Sequence, residues 1–345
     1  MYPELFELPL IHLTVKSYGL MMVIGFLSAV ALIRRLSRDI TPDPQMITNA
    51  ALYSLIGGVV GARLFYVIHY FKNFRDRPLD VFAIWHGGLE LLGGVILAIT
   101  IIFLYLLYHK LPVRKYLDIL AIGLMLALVF GRIGCFLNGC CWGRPADLPW
   151  AVHFPYKSFA YLSQVNADPE RNRTEPYLEL PSEYISSIDT DGTIYPKEIE
   201  ELTEGQKVKV TKGEYRCMGV HPTQLYASGL ALGLTGLLYL FWRRARRAEQ
   251  AGRTNIFLTR SGQTFGLMFI VYGITRFLLE LVRDDNPFGF LGLTISQNLG
   301  LVMVGLGIVL IVVFGLIKPL SLARPETRRG KKTSRGKVRS CQIVT

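Results

Sequence analysis

Seven long apolar runs constrain this chain more than any other feature. They cover residues 18–33, 47–71, 81–108, 116–137, 223–242, 264–282 and 294–317. Each is long enough to cross about 30 Å of hydrocarbon as a helix. Inside a bilayer every backbone N–H and C=O needs an internal partner, and a continuous helix supplies one. Stretches such as 119–130 carry no charge at all, and 51% of the 345 residues are hydrophobic. The expected fold is therefore all-α: a polytopic membrane protein with seven transmembrane helices.

The charges between the runs predict an orientation. Arg34, Arg35 and Arg38 follow the first run; Lys110, Arg114 and Lys115 follow the third; Arg243, Arg244, Arg246 and Arg247 follow the fifth. With seven spans these loops share one side with the tail, which adds Arg328, Arg329, Lys331 and Lys332. Basic loops stay cytoplasmic, so the N-terminus is expected outside and the C-terminus inside. Lys72, Arg75 and Arg77 oppose this pattern but are outnumbered. The net charge of +12 is thereby explained without nucleic acid as a partner.

The expected organisation is a membrane part at 1–143 holding spans one to four, an extracytoplasmic insert at 144–220, a second membrane part at 221–318 holding spans five to seven, and a basic cytoplasmic tail at 319–345. Residues 1–17 read as a mildly amphipathic lead-in lying on the membrane surface, without the basic start of a cleavable signal. The insert is rich in acids, among them Asp168, Glu170, Glu198, Glu200 and Glu201. It reads as a small folded cap or a partly disordered segment, with short strands expected near 150–154 and 207–210. The tail is expected to be disordered or held at an anionic leaflet surface. The five cysteines, Cys135, Cys140, Cys141, Cys217 and Cys341, form no C-x-x-C pair and no metal-ligand spacing, and their odd number excludes complete pairing within one chain. The first three read as buried thiols, with a bridge from Cys140 or Cys141 to Cys217 as the other reading.

Three polar segments interrupt the apolar pattern. The first runs from Gly131 through Arg132, Gly134, Asn138 and Gly139 to Trp142 and Gly143. A charge at the end of a membrane helix costs a few kcal/mol and is commonly retained for function; the plainer reading is an arginine snorkelling to the interface. The second, Trp85 to Gly94, holds His86 and Glu90 four apart, on one face if helical, between two Gly-Gly pairs. Such a glycine-rich segment can also unwind against a cavity. In the third, Tyr272, Arg276, Glu280 and Arg283 recur at four, four and three residues, one helical stripe. Arg276 and Glu280 can pair, either as a polar zipper between helices or as part of a site. Guanidinium groups converging in a membrane point to phosphate, which they bind bidentately while staying charged. A membrane-embedded phosphate is a phospholipid head group. His221, Pro222, Thr223, Gln224 and Tyr226 open the fifth span, with Pro222 suited to a helix start.

Together these segments, with Tyr18-Gly19 and Gly61-Ala62-Arg63 before them and Ser296-Gln297 after, resemble the prolipoprotein diacylglyceryl transferase family in composition and order. The resemblance implies the seven-span, N-out architecture. It also implies transfer of the diacylglyceryl group of phosphatidylglycerol to the lipobox cysteine of a preprolipoprotein in the bacterial inner membrane, with glycerol phosphate leaving and neither metal nor organic cofactor. The implied catalytic residues are Arg132, Arg276, Tyr272, Glu280 and His86. Arg132, Tyr18, Arg63, Asn138, Gly143, His221 and Gln224 are the implied substrate-binding residues, with phosphatidylglycerol, the lipobox segment and membrane lipids as partners. The chain departs from the family pattern at Leu92, where a histidine is usual, at Cys135 and Cys140, where Asn and Glu are common, and at Ala227. The other readings are a membrane paralogue that binds or moves phospholipid without this chemistry, and a seven-span receptor or retinal pump. The last run holds no lysine, against a retinal protein.

Overall fold

The structure, a computed structural model, describes residues 4–8, 13–41, 43–75, 78–83, 88–253 and 259–317. It is mostly helical. The principal helices are α1 (Ser17–Ser37), α2 (Gln45–His69), α3 (Leu91–Tyr108), α4 (Val113–Asn138), α5 (Phe159–Val165), α6 (Glu204–Thr211), α7 (Thr223–Gln250), α8 (Gln263–Glu280) and α9 (Ile295–Leu316). Among the described residues, α1, α2, α4, α7 and α9 are long and apolar enough to cross a membrane; Leu92–Tyr108 is a shorter apolar helix.

α4 is the central element. It packs against α1 on one flank and α7 on another, and it also touches α8. Its residues Ile119, Ala121 and Ile122 are fully buried, with Leu238 of α7 in the same core. α2 pairs with α3, and α8 with α9, through glycines. A Cβ at Gly61 would lie 2.5 Å from the Gly93 carbonyl, and one at Gly273 would lie 2.6 Å from the Gly300 carbonyl. In lipid, where burial of apolar surface gives no drive between helices, such backbone contact supplies packing energy. Leucines, isoleucines and valines on α1, α2, α3 and α9 remain exposed, as a lipid-facing surface requires. At the opposite end from the Arg132 segment, Lys115 Nζ meets Glu249 Oε1 at 2.6 Å. Asp118 accepts from the N–H of Gly262 and Phe265 at 2.7 and 3.0 Å, satisfying the start of α8.

Three local expectations change. Within the lead-in, where no strand was expected, β1 (Glu4–Leu8) pairs antiparallel with β2 (Leu13–Lys16). Among the described residues of the third apolar run, the α-helix starts at Leu91, because Glu90 is extended at φ −98° and ψ 114°, and Pro78–Phe82 is a 3-10 turn. Residues 204–211 form α6, not a strand. The reason is a capping box in which Thr203 accepts from the Gln206 N–H and Gln206 accepts from the Thr203 N–H.

The insert has its own core of Phe154, Tyr161, Val165, Tyr184, Leu202, Val210 and Cys217. Strands β3 (Val152–His153) and β6 (Gly219–Val220) pair antiparallel and bring its two ends together, while β4 (Ile185–Ile188) and β5 (Ile194–Pro196) form a separate hairpin. Cys217 is a free thiol buried in this core, so the Cys140–Cys217 or Cys141–Cys217 bridge is not formed.

Candidate active site

The end of α4, the starts of α7 and α9 and the end of α8 meet at one place. α4 stops because Gly139 adopts a left-handed conformation at φ 80°, and its N–H returns to the Cys135 carbonyl at 3.0 Å. The chain then reverses. Thr223 Oγ1 donates to the Cys141 carbonyl and Gln224 Nε2 donates to the Cys140 carbonyl, both at 2.7 Å. The next residues are held from two sides. Gly143 N–H donates to the His221 carbonyl at 3.1 Å, and Arg144 N–H donates to the Val282 carbonyl at 2.9 Å. A Cβ at Gly143 would lie 2.6 Å from His221 Cβ, so only glycine fits this crossing.

Above this latch, Arg132, Tyr272 and Arg276 line one pocket with Leu128, Ala227, Ala231 and Thr275. The arginine side chains come from α4 and α8, whose packing against α7 sets their spacing. Arg276 does not stand alone. Its Nη1 donates to Glu280 Oε2 at 2.6 Å, and its Nη2 donates to Ser296 Oγ at the start of α9. Glu280, with a side chain only 1% exposed, also accepts from Asn286 Nδ2 at 2.6 Å and lies 3.8 Å from Arg283 Nε. A buried carboxylate needs such partners, because removing charge from water costs several kcal/mol. Arg283 turns its fork to Asp285, at 2.8 and 2.6 Å. The positive charge of Arg276 and Arg283 is thus balanced by carboxylates, while Arg132, among the described residues, meets no carboxylate and points Nη1 at the Cys141 sulfur 3.9 Å away.

The insert reaches this framework. Arg171 donates to the Asn286 and Arg283 carbonyls at 2.7 and 2.9 Å and lies 3.4 Å from Asp284. Burial pushes the Asp284 carboxyl above the usual range, against the pull of Arg171, Arg173 and Arg144. No local pattern pointed to Arg171, which is 112 residues from its partner Arg283. Asn286 had a signal: it lies in the polar run Arg283 to Asn286 that ends the sixth apolar segment.

The remaining residues singled out in the sequence fall elsewhere. Tyr18, 40% exposed, opens α1 and lies against Gly134, whose Cβ would be 3.2 Å from its ring. Asn138 closes α4 beside the pocket's cysteine-bearing turn. His221 places Nδ1 3.3 Å from the Tyr226 hydroxyl, which also accepts from Trp150 Nε1 at 2.7 Å. Arg63 belongs to α2, which contributes nothing to the arginine pocket. Its guanidinium donates to the carbonyls of Val81, Gly88 and Asp80 at 2.8, 3.0 and 2.6 Å. It fastens the connection before α3. His86 lies outside the described residues. Glu90, extended rather than helical, lies 3.6 Å from His69. A second cavity between α1, α2, α3 and α4, of about 270 Å³, is almost entirely apolar, lined by residues such as Phe26, Ile33, Ile102 and Leu120.

The family model described as prolipoprotein diacylglyceryl transferase matches residues 3–313. Three curated relatives carry the name phosphatidylglycerol–prolipoprotein diacylglyceryl transferase. One, from Clostridium tetani, is 30% identical over 308 residues, covering 89% of this chain and 96% of the relative. One from Rhodospirillum rubrum is 30% identical over 317 residues, 89% of this chain and 91% of the relative. One from Neisseria gonorrhoeae is 30% identical over 318 residues, 89% and 94%. With a family match across nearly its whole length and an arginine pocket between its apolar helices, this chain belongs to the prolipoprotein diacylglyceryl transferase family.

Proposed function

We propose that this protein transfers the diacylglyceryl group of phosphatidylglycerol to the thiol of a prolipoprotein's lipobox cysteine, releasing glycerol phosphate, in the bacterial inner membrane. One observation carries the reading: two guanidinium groups, Arg132 and Arg276, line a single pocket between apolar helices. Guanidinium binds phosphate through paired N–H donors and cannot lose its charge at neutral pH. In this reading Arg132 and Arg276 hold the lipid phosphate. They stabilise the charge that grows on the phosphate oxygen as its bond to the glyceryl carbon breaks. Glu280 orients Arg276, and Tyr272 hydrogen-bonds the lipid from the same wall. Tyr18 and Asn138 border the head group, while Gly143, His221 and Gln224 keep the rim in place through the latch. The apolar cavity between α1 and α4 suits acyl chains.

The seven-span topology, with the N-terminus outside, the insert extracytoplasmic and the tail cytoplasmic, is part of the same proposal. It rests on the distribution of arginine and lysine between the apolar runs. The test is complementation of a bacterium depleted of its own transferase. The readouts are growth and the mass of a reporter lipoprotein. The expected result is rescue, with one diacylglyceryl group added at the lipobox cysteine, and a fall of about 10²- to 10³-fold in transfer for Arg132→Ala. Good membrane expression without any gain in mass overturns the reading in favour of a phospholipid-binding paralogue.

A further inference from the structure

The turn after α4 gathers three cysteines that sequence spacing alone did not connect. The sulfurs of Cys135, Cys140 and Cys141 all lie within 4.8 Å of one another. Cys135 is buried in the last turn of α4, and Cys140 and Cys141 are half-buried beyond it. None is in a disulfide. The backbone is arranged to bring them together. After the left-handed Gly139, Cys141 also takes a positive φ, 63°. For a residue with a side chain this conformation costs about 1–2 kcal/mol. The Cys140 N–H returns to the Cys135 carbonyl at 3.2 Å, and the Cys140 and Cys141 carbonyls are pinned by Gln224 and Thr223. Gln224 is 1% exposed, and its Oε1 is a buried acceptor without a hydrogen-bond partner among the described residues. Arg132 Nη1 lies 3.9 Å from Cys141 Sγ, so Arg132, which lines the arginine pocket, also borders the sulfur cluster.

We propose that Cys135, Cys140 and Cys141 form a three-thiolate site for one zinc ion, whose open fourth position takes the cysteine thiol of the incoming peptide. Zinc bound tetrahedrally by sulfur has Zn–S distances of about 2.3 Å, which places the sulfurs about 3.8 Å apart. The sulfurs of Cys135, Cys140 and Cys141, all within 4.8 Å of one another, lie close to that spacing. Three protein ligands with the fourth position left to water or substrate is the arrangement of catalytic zinc, whereas four protein ligands close a structural site. Soft thiolates favour zinc over the hard cations magnesium and calcium. Arg132, beside Cys141, offsets the negative charge that three thiolates and one divalent ion leave on the cluster, as an outer partner to a metal ligand does.

The role of the metal rests on the transferase reading above; its binding does not. A thiol entering the fourth position loses its proton to water, because zinc holds a coordinated thiol as thiolate. The sulfur pair then attacks the glyceryl carbon. A C–S bond forms as the C–O bond to phosphate breaks, and the electron pair leaves on the phosphate oxygen held by Arg132 and Arg276. The products are the thioether and glycerol phosphate, and the zinc is unchanged. The nucleophile is thus held at the turn after α4, next to Arg132, which with Arg276 of α8 receives the leaving group.

The experiment uses the full chain, purified in detergent without chelator. Metal content is measured by mass spectrometry, sulfur ligation by X-ray absorption at the zinc edge, and diacylglyceryl transfer on a lipobox peptide. One zinc per chain with three sulfur ligands is expected. Cobalt exchanged into the wild-type protein should show thiolate-to-metal charge-transfer absorption, a readout that needs no variant. Cys135→Ser, Cys140→Ser and Cys141→Ser should each lose the metal and lower transfer by about 10²-fold, the usual contribution of a positioned proton acceptor. Cys217→Ser should keep both. Absence of zinc and of cobalt absorption in a chain that still transfers overturns the site and leaves the transferase reading intact. A disulfide between two of the three cysteines in the active protein overturns it equally. Stoichiometric zinc in a chain that never transfers keeps the site and removes the reaction.

Discussion

Replacing Glu280 by glutamine removes one charge and almost no volume from the framework behind Arg276. The carboxylate accepts from Arg276 and Asn286 at 2.6 Å each and lies 3.8 Å from Arg283. Asn286 can turn its own amide to face the new one, so that contact survives as a neutral hydrogen bond. Arg283 keeps both bonds to Asp285. The loss therefore concentrates on Arg276, whose bond to an ionised partner becomes a bond to a neutral one. Hydrogen bonds to charged groups contribute about 1.5–3 kcal/mol, against about 1 for neutral ones. Glu280 is buried, so screening by water does not soften the change. We expect Glu280→Gln to misplace Arg276 at a cost of about 0.5–2 kcal/mol in the transition state, or about 2- to 30-fold in the transfer rate at saturating phosphatidylglycerol. The assay is the rate of diacylglyceryl addition to a lipobox peptide in vesicles. Thermal unfolding run alongside separates misplacement from loss of the fold. A Glu280→Gln protein that unfolds like the wild type and transfers within twofold of it would refute the idea that this carboxylate positions Arg276.

Two further predictions follow from the latch and the insert. Gly143→Ala drives a methyl group against His221 and Thr223 in a crossing where neither backbone can retreat; overpacking of this kind costs about 1–3 kcal/mol, measurable as a lower unfolding temperature together with lost transfer. Burial holds the Cys217 thiol up at about 11. Below the ordinary thiol value of about 8.5 its contribution to stability is fully present, and that contribution is lost as pH rises from there toward 11, because only the unfolded thiol ionises in that window. Cys217 should therefore resist alkylation in the folded protein at pH 8 and react on denaturation, as mass spectrometry of labelled peptides would report; rapid labelling of the folded chain would contradict its burial.

Much of the molecule is legible in one dimension because lipid leaves the backbone few choices. The apolar runs at 18–33, 47–71, 116–137, 223–242 and 294–317 became α1, α2, α4, α7 and α9, since a peptide group in hydrocarbon has no partner but its own chain. The stripe from Tyr272 to Glu280 likewise became one face of α8, with the Arg276–Glu280 pair that its spacing implies. The Thr203–Gln206 capping signal was present in the sequence too, but a run of alternating lysine and valine concealed it.

What required the tertiary structure were the partners brought together from distant segments. Arg132 and Arg276 share a pocket only because α4 and α8 both pack on α7. Arg63, in a motif that reads like a site, is engaged instead by three carbonyls before α3, which no local pattern reveals. Arg171 reaches from the insert to the end of α8, and the three cysteines converge because Gly139 and Cys141 both turn left-handed. The sequence by itself determined which segments must be helical and apolar, a property set by hydration and backbone hydrogen bonding within each segment. Which charges and sulfurs meet was decided by helix packing and by one tight turn, since those contacts join residues with no periodic relation along the chain.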